Sequence, residues 1–375
     1  MRGGTRLGLA AALAFGGWGL AHAAAIAPAS YTDTLAVGET VVVSKTVTTD
    51  PTLDFVDFYF LADNTGSMGT VIGNVQSVAT SLLGSLSTTY SNAAFGVGRY
   101  FGDPSEGVGF DNAYDVLQPI TTSTTAATTA MGNWIAFGGG DAAEANLYAL
   151  HQAATDGADT AGPGTGSGEA TGWRAGAQKV ILWFGDIFGH QDTVTLADAI
   201  ATLTGEGVIV VGFNSTAAGT GIDGSFADGT GDGRNQASAI TTATGGALVN
   251  DFVSVPTGDL VSTIVSAVGT ATATFDLSLF VSGGDTSGLN VSFACTDPAG
   301  CDDVTGGESR TFSMTITGLV PGTYDFTVGV TGFSSISEDD HITVTGGPTT
   351  VPEPASLLLL GAGLAGLGFA RRRAA

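Results

Sequence analysis

The stretch Asp63-Asn64-Thr65-Gly66-Ser67-Met68 sets a carboxylate and two hydroxyls at alternate positions. In an extended loop Asp63, Thr65 and Ser67 can face one point, and Gly66 relaxes the turn between them. Oxygen donors of this kind suit a small hard cation, which prefers near-octahedral oxygen coordination and keeps some positions for water or a ligand. One acid and two hydroxyls make half of such a site. The same residues would also suit a helix start, with Thr65 or Ser67 capping a helix from Thr70.

Other acids are placed to complete the set. The run KVILWFGD ends on Asp186, and FGGGDAAEANLYAL puts Asp141 in a glycine-rich loop that opens a helix, with Glu144 one turn later as the rival ligand. A separate cluster, Asp223, Asp228 and Asp232, sits among glycines but lacks the spacing and closing glutamate of an EF-hand, and reads as a solvated loop. The histidines, His22, His151, His190 and His341, are scattered. His190 and Asp192 follow Asp186, but no GxSxG elbow or HExxH helix accompanies them, which disfavours a metal-dependent hydrolase with Ser67 as nucleophile. Trp134, Trp173 and Trp183 read as core or loop anchors.

The elements that must carry these loops alternate between Asp54 and Val268. DFVDFYFLA, AAFGVGRYF, KVILWFGD, GVIVVGFN and GALVND are strand candidates. Between them, TVIGNVQSVATSLLGSL, AEANLYALHQAAT, VTLADAIATLTG, RNQASAITTATG and TGDLVSTIVSAVG carry apolar residues at helical spacing. Strands apolar on both faces, alternating with such helices, predict a doubly wound, mostly parallel α/β sheet over residues 53–270. Ligands of such a sheet sit at the carboxyl ends of its strands, where Asp63 and Asp186 fall.

From 271 to 347 the pattern changes to period two between Gly, Asp and Ser turns, the signature of a small all-β sandwich. Residues 26–52 hold two short strands, too few to bury a core alone. They are expected to pair with the C-terminal sandwich, which would make the α/β domain an insertion; the alternative is a free-standing extension followed by the two domains.

Acidic side chains number 35 against 11 basic ones, three of these at Arg371, Arg372 and Arg373, for a net charge of −24. Such a surface repels nucleic acid and anionic lipid and attracts divalent cations. Residues 1–23 combine Arg2 and Arg6, an apolar core and a small-residue AHA end, and read as a secretory signal peptide. Export suits the cysteine pair Cys295 and Cys301, which could close a small disulfide ring in an oxidising compartment.

Residues 351–375 run from Pro352-Glu353-Pro354 through an apolar stretch, Ala355 to Ala370, to the arginine cluster. That order of parts resembles the PEP-CTERM sorting signal of Gram-negative bacteria. The resemblance implies transient inner-membrane retention, recognition by an exosortase and release to the cell surface or extracellular matrix; a permanent membrane anchor is the alternative.

The acid-bearing loops, in the order DxTxS, GGGD and strand-Asp, resemble the metal-ion-dependent adhesion site of the von Willebrand factor A family. GGGDAAEA and TGWRAGAQKVILWFGD bring the chain closest to the integrin β branch, whose domain is also inserted in a β-sandwich. The resemblance implies Asp63, Thr65 and Ser67 in the first loop, Asp141 or Glu144 in the third, and Asp186 after the fourth strand, around Mg²⁺, Ca²⁺ or Mn²⁺. Three carboxylates around a divalent ion would leave a local charge of about −1, favouring firm ion binding over a strong pull on an acidic ligand. The integrin β branch has two adjacent acids after this motif for a second ion; here the place reads MGT, and no second site is expected. The expected function is adhesion to an extracellular protein or matrix ligand whose acidic group completes the metal site, without catalysis. The alternative is a structural matrix or biofilm protein in which the metal only ties loops together.

Overall fold

The computed structural model describes residues 5–7, 24–102, 113–139, 143–157, 170–224 and 235–346. Asp141, Asp228, Asp232, Pro352, Glu353 and Pro354, and all but a three-residue stretch of the expected signal peptide, lie outside the described residues.

In chain order the first strands are β1 (Thr5–Leu7), β2 (Ala25–Ala27), β3 (Ser30–Ala36) and β4 (Thr40–Thr48). The α/β region follows: β5 (Phe55–Asp63), α1 (Gly69–Thr89), β6 (Asn92–Tyr100), β7 (Tyr114–Thr121), α2 (Thr124–Met131), α3 (Asn146–Ala154), β8 (Gln178–Gly185), α4 (Leu196–Gly205), β9 (Val208–Asn214), α5 (Gln236–Ala243), β10 (Ala247–Val249) and α6 (Leu260–Ala271). The chain then returns to strands: β11 (Thr274–Phe275), β12 (Leu279–Gly284), β13 (Leu289–Cys295), β14 (Val304–Thr305), β15 (Ser309–Gly318), β16 (Gly322–Val330) and β17 (Phe333–Thr345).

The α/β class and mostly parallel sheet read from the sequence are what the chain adopts. The sheet order is β10-β9-β8-β5-β6-β7, with β7 the antiparallel member at one edge. Successive residues of β5 feed opposite layers. Phe58 and Phe60 join the core that contains apolar residues of α1, α2 and α6, while Tyr59 and Leu61 join that of α3, α4 and α5. This two-sided burial explains why the strand is apolar at every position from Phe58 to Ala62. Tyr59 packs across β6, where a Cβ on Gly98 would fall 2.2 Å from the Tyr59 hydroxyl, so the FGVGRY run needs its glycines for this close approach.

Two elements of this region were not expected. β7 contains Pro119 and interrupts its register against β6, both of which an edge strand tolerates. α2 is rich in threonine, a poor helix former, and is started by Ser123, whose side chain accepts from the Ala126 amide at 3.2 Å. The helix expected from Thr257 begins as a 3₁₀ turn, Thr257–Asp259, and becomes α-helical at Leu260.

The remaining strands form two facing sheets. In one, β4 pairs antiparallel with β15 over Thr40–Thr48, β15 pairs with β13, and β1 and β2 lie along the other edge of β4. In the other, the order is β12-β16-β17-β3, with β3 parallel to β17. The strands preceding the α/β region thus enter both sheets. Cys295 and Cys301 are joined by a disulfide. At the junction with the α/β sheet, the Ser334 amide and hydroxyl donate to the Asp54 carboxylate, and the amides of Asp54 and Phe55 donate to the Gly332 carbonyl. Among the described residues no helix is long and apolar enough to cross a membrane.

Candidate metal centre

From β5 the chain turns to β6 on one side, while β8 pairs with β5 on the other, so the carboxyl ends of β5 and β8 flank a topological switch point. Asp63 is the last residue of β5 and Asp186 is the first after β8. Gly185 lets the two strand ends approach: a Cβ there would meet the Tyr100 hydroxyl at 2.5 Å and Ile222 Cγ2 at 2.6 Å, with Asp63 Cβ 3.8 Å away.

The DxTxS loop folds back on its own acid. The Thr65 amide donates to Asp63 Oδ1 at 2.8 Å, and the Thr65 and Ser67 hydroxyls lie 3.3 Å apart. Ser67 in turn donates to the Asp186 carboxylate, linking the two loops. Asp63 and Thr65 are buried, whereas Ser67 is exposed, so the group has a dry floor and an open rim. The helix-capping reading of these hydroxyls fails. Neither the 3₁₀ turn Gly66–Met68 nor α1 receives a side-chain cap, and the hydroxyls are turned to each other and to Asp186.

Burial dominates the electrostatics. It raises Asp63 to about 7, with the neighbouring Asp186 charge adding to the shift and the Thr65 amide opposing it. Burial also raises Asp186, against the hydrogen bond from Ser67. Beneath them the Tyr100 hydroxyl donates to the Phe184 carbonyl at 3.1 Å and accepts from Trp183 Nε1 at 3.0 Å. Burial, reinforced by the charges of Asp63, Asp186 and Glu144, holds this phenol far above its usual value, so it stays protonated.

Among the described residues Asp63 Oδ2 is buried with no hydrogen-bond partner. An ionised carboxylate oxygen in that setting calls for a cation or a proton. Two carboxylates and two hydroxyls converging on it form a hard-oxygen donor set, which fits a divalent ion such as Mg²⁺, Ca²⁺ or Mn²⁺. Among the described residues no group of three or more His, Cys, Asp or Glu could hold a metal alone, so the hydroxyls and the third loop carry weight.

The approach to that third loop is pinned by Asn64, a residue not singled out in the sequence. Its side-chain carbonyl accepts from the Ile135 amide at 2.8 Å and its main-chain carbonyl from the Phe137 amide at 2.9 Å, while the Gly66 amide donates to the Gly138 carbonyl at 3.2 Å. The glycine-rich stretch is thereby held against the DxTxS loop. Asp141 lies beyond it, outside the described residues. Glu144 does not sit one turn into a helix as expected: it precedes α3 and bridges to Gly189. It is buried, and its Oε1 lies 3.6 Å from where a Cβ on Gly139 would be, a point 3.4 Å from Thr65 Cβ. Its carboxylate therefore borders the site from below.

The other sequence candidates have structural partners. Asp223 clamps its own loop, accepting from the Gly219 amide at 2.9 Å and the Ser238 amide at 2.8 Å. The Trp134, Trp173 and Trp183 indoles donate to the Gly98 carbonyl, the Ala153 carbonyl and the Tyr100 hydroxyl. Arg174 grips Asp57 at the amino end of the sheet. A cleft of about 940 Å³, lined in part by Arg174, Lys179 and Phe280, lies at that amino end and includes neither Asp63 nor Asp186.

No curated protein matches this chain. Solved structures similar to it include one titled von Willebrand factor type A from Catenulispora acidiphila, 15% identical over 86% of this chain and 72% of that one, with a TM-score of 0.38. Proximal thread matrix protein 1 from the mussel byssus is 13% identical over 63% of this chain, with a TM-score of 0.38. The pilus adhesin SpaC from Lactobacillus rhamnosus GG is 10% identical over 82%, with a TM-score of 0.36. This chain spans 51% and 46% of the length of the last two. Residues 350–373 match the model of the PEP-CTERM protein-sorting motif, which marks this chain as an exported protein.

Proposed function

We propose that the protein is an exported, non-enzymatic adhesion protein that grips an acidic group of an extracellular protein or matrix ligand through a divalent cation. The observation that carries this reading is the buried Oδ2 of Asp63, unpartnered among the described residues, at the floor of a centre whose other members are Thr65, Ser67 and Asp186. These four residues would hold the ion, with Asp141 or Glu144 adding the third loop. The ion would supply the positive charge that a partner's carboxylate needs at the rim.

The rim supports a binding role. Ile135 and Phe137, on the stretch pinned to the DxTxS loop, are 51% and 57% exposed and give the rim an apolar flank for a partner. The sorting motif would release the protein, after an inner-membrane intermediate and exosortase processing, at the cell surface or in the extracellular matrix.

The test is adhesion of the purified protein to cells or matrix with and without EDTA. Adhesion should fall with EDTA and in Asp63→Ala and Asp186→Ala. Adhesion untouched by all three, in a protein that still binds the ion, favours the structural matrix reading, in which the centre only ties loops together.

A further inference from the structure

The β-sandwich buries a group of charges that the metal centre does not use. On β4 the inward row is Val41, Val43, Lys45 and Val47, and on β17 it is Ile336, Glu338, Asp340 and Ile342. Lys45, Glu338 and Asp340 are 0%, 3% and 2% exposed. The two strands belong to opposite sheets, so the lysine reaches across the core to both carboxylates. Lys45 Nζ lies 2.5 Å from Glu338 Oε1 and 3.6 Å from Asp340 Oδ1. Among the described residues, neither carboxylate has a side-chain partner of regular hydrogen-bond geometry. Tyr31 of β3 borders the cluster, its main chain approaching Asp340 and its ring centre lying 5.9 Å from Nζ, and the Asp339 charge also acts on Asp340.

Removing three ionised groups from water costs several kcal/mol for each ion, and a single cation offsets this poorly for two anions. The arrangement is also that of a reaction: an amine nucleophile, a carboxyl carbon within reach, and a second carboxyl in contact with the amine, in a site that excludes water. We propose that Lys45 and Asp340 condense into an intramolecular amide bond, with Glu338 as the proton shuttle.

In that reaction Glu338 takes one proton from the Lys45 ammonium, and the freed lone pair on Nζ adds to Cγ of Asp340. The nitrogen then loses a second proton. Both protons pass to one Asp340 carboxyl oxygen, which leaves as water. The Nζ–Cγ bond forms, a Cγ–O bond breaks, Glu338 returns to its starting state, and nothing is oxidised or reduced. Burial raises Glu338 to about 7 against the pull of Lys45, so its carboxyl can both take and return a proton near neutrality. Asp340 is raised as well, chiefly by burial, so the starting carboxylate readily takes the first of these two protons and reacts as the neutral acid.

The product removes two of the three buried charges. It also joins the strand that leads into the α/β domain to the strand that leads out toward the sorting motif.

The test is peptide mapping by mass spectrometry of the purified full chain, digested after reduction of the Cys295–Cys301 disulfide. The expected result is a linked pair of peptides, one containing Lys45 and the other Asp340, lighter than their sum by one water molecule. In Lys45→Met and Glu338→Gln the two peptides should run separately at full mass. Unlinked peptides from the wild-type chain, or a link ending on Glu338, overturn the proposal, and both outcomes are read without relying on the folding of any variant.

Discussion

The Thr65 amide donates to one oxygen of Asp63 at 2.8 Å, and the other oxygen of that carboxylate is buried with no hydrogen-bond partner among the described residues. Half of this acid is thus satisfied by its own loop and half awaits a positive charge.

That imbalance has a pH signature. Burial raises Asp63 from 3.8 to about 7 in the ion-free fold, so the folded chain holds a proton that the unfolded chain has released between these values. Its contribution is fully present below about pH 4 and is lost as pH rises through about 7, by up to about 4 kcal/mol. Urea unfolding in EDTA should show this fall, and saturating Ca²⁺ or Mg²⁺ should flatten it, because the ion stabilises the ionised carboxylate. The same fall in Asp63→Asn would assign it to another group.

Arg174 holds the opposite end of β5. Its Nε and amide donate to the two oxygens of Asp57 at 2.6 and 2.7 Å, and its remaining nitrogens reach Asn92 and the Val56 carbonyl. Arg174→Ala would remove the guanidinium from the buried Asp57 carboxylate and leave it the amide of residue 174, at a cost of about 3 kcal/mol. Arg174→Lys should recover only part of this, since an ammonium cannot reproduce the planar fork. Chemical denaturation measures both, and ion affinity in the folded fraction should be unchanged.

Gly185 tests whether the site depends on close approach of two strand ends. A methyl group there would overlap the Tyr100 hydroxyl and Ile222. Gly185→Ala should cost about 1–3 kcal/mol through overpacking and weaken ion binding together with stability. A variant as stable as the parent, with unaltered ion affinity, would contradict the packing described.

Ile135 and Phe137 separate partner binding from ion binding. As exposed side chains their replacement by serine should change stability by no more than about 0.5 kcal/mol. Ion affinity should be retained while adhesion to cells or matrix falls.

The sequence carried the strands of the α/β sheet clearly because burial on two faces leaves apolar runs such as FVDFYFLAD that little else would require. The acids at the ends of β5 and β8 were legible for the same reason, as polar breaks after buried runs. β7 and α2 were not, because an edge strand with a proline and a threonine-rich helix follow tertiary contacts more than local preference. Glu144 was misplaced because GGGDAAEANLYAL carries helical spacing before the helix actually starts at Asn146. The Lys45, Glu338 and Asp340 cluster was present in the sequence as charges at apolar positions of the period-two rows VVVSKTV and ISEDDHI. Period alone does not say that the two rows face each other; the sheet pairing supplies that.

Asp63, Thr65, Ser67 and Asp186 are proposed to hold a divalent cation. Isothermal titration of EDTA-stripped protein with Mg²⁺, Ca²⁺ and Mn²⁺ tests it most directly. Saturable binding of at least one of these ions is expected, lost in both Asp63→Ala and Asp186→Ala. Absence of binding by the folded wild-type protein, or binding that survives in both variants, would contradict it.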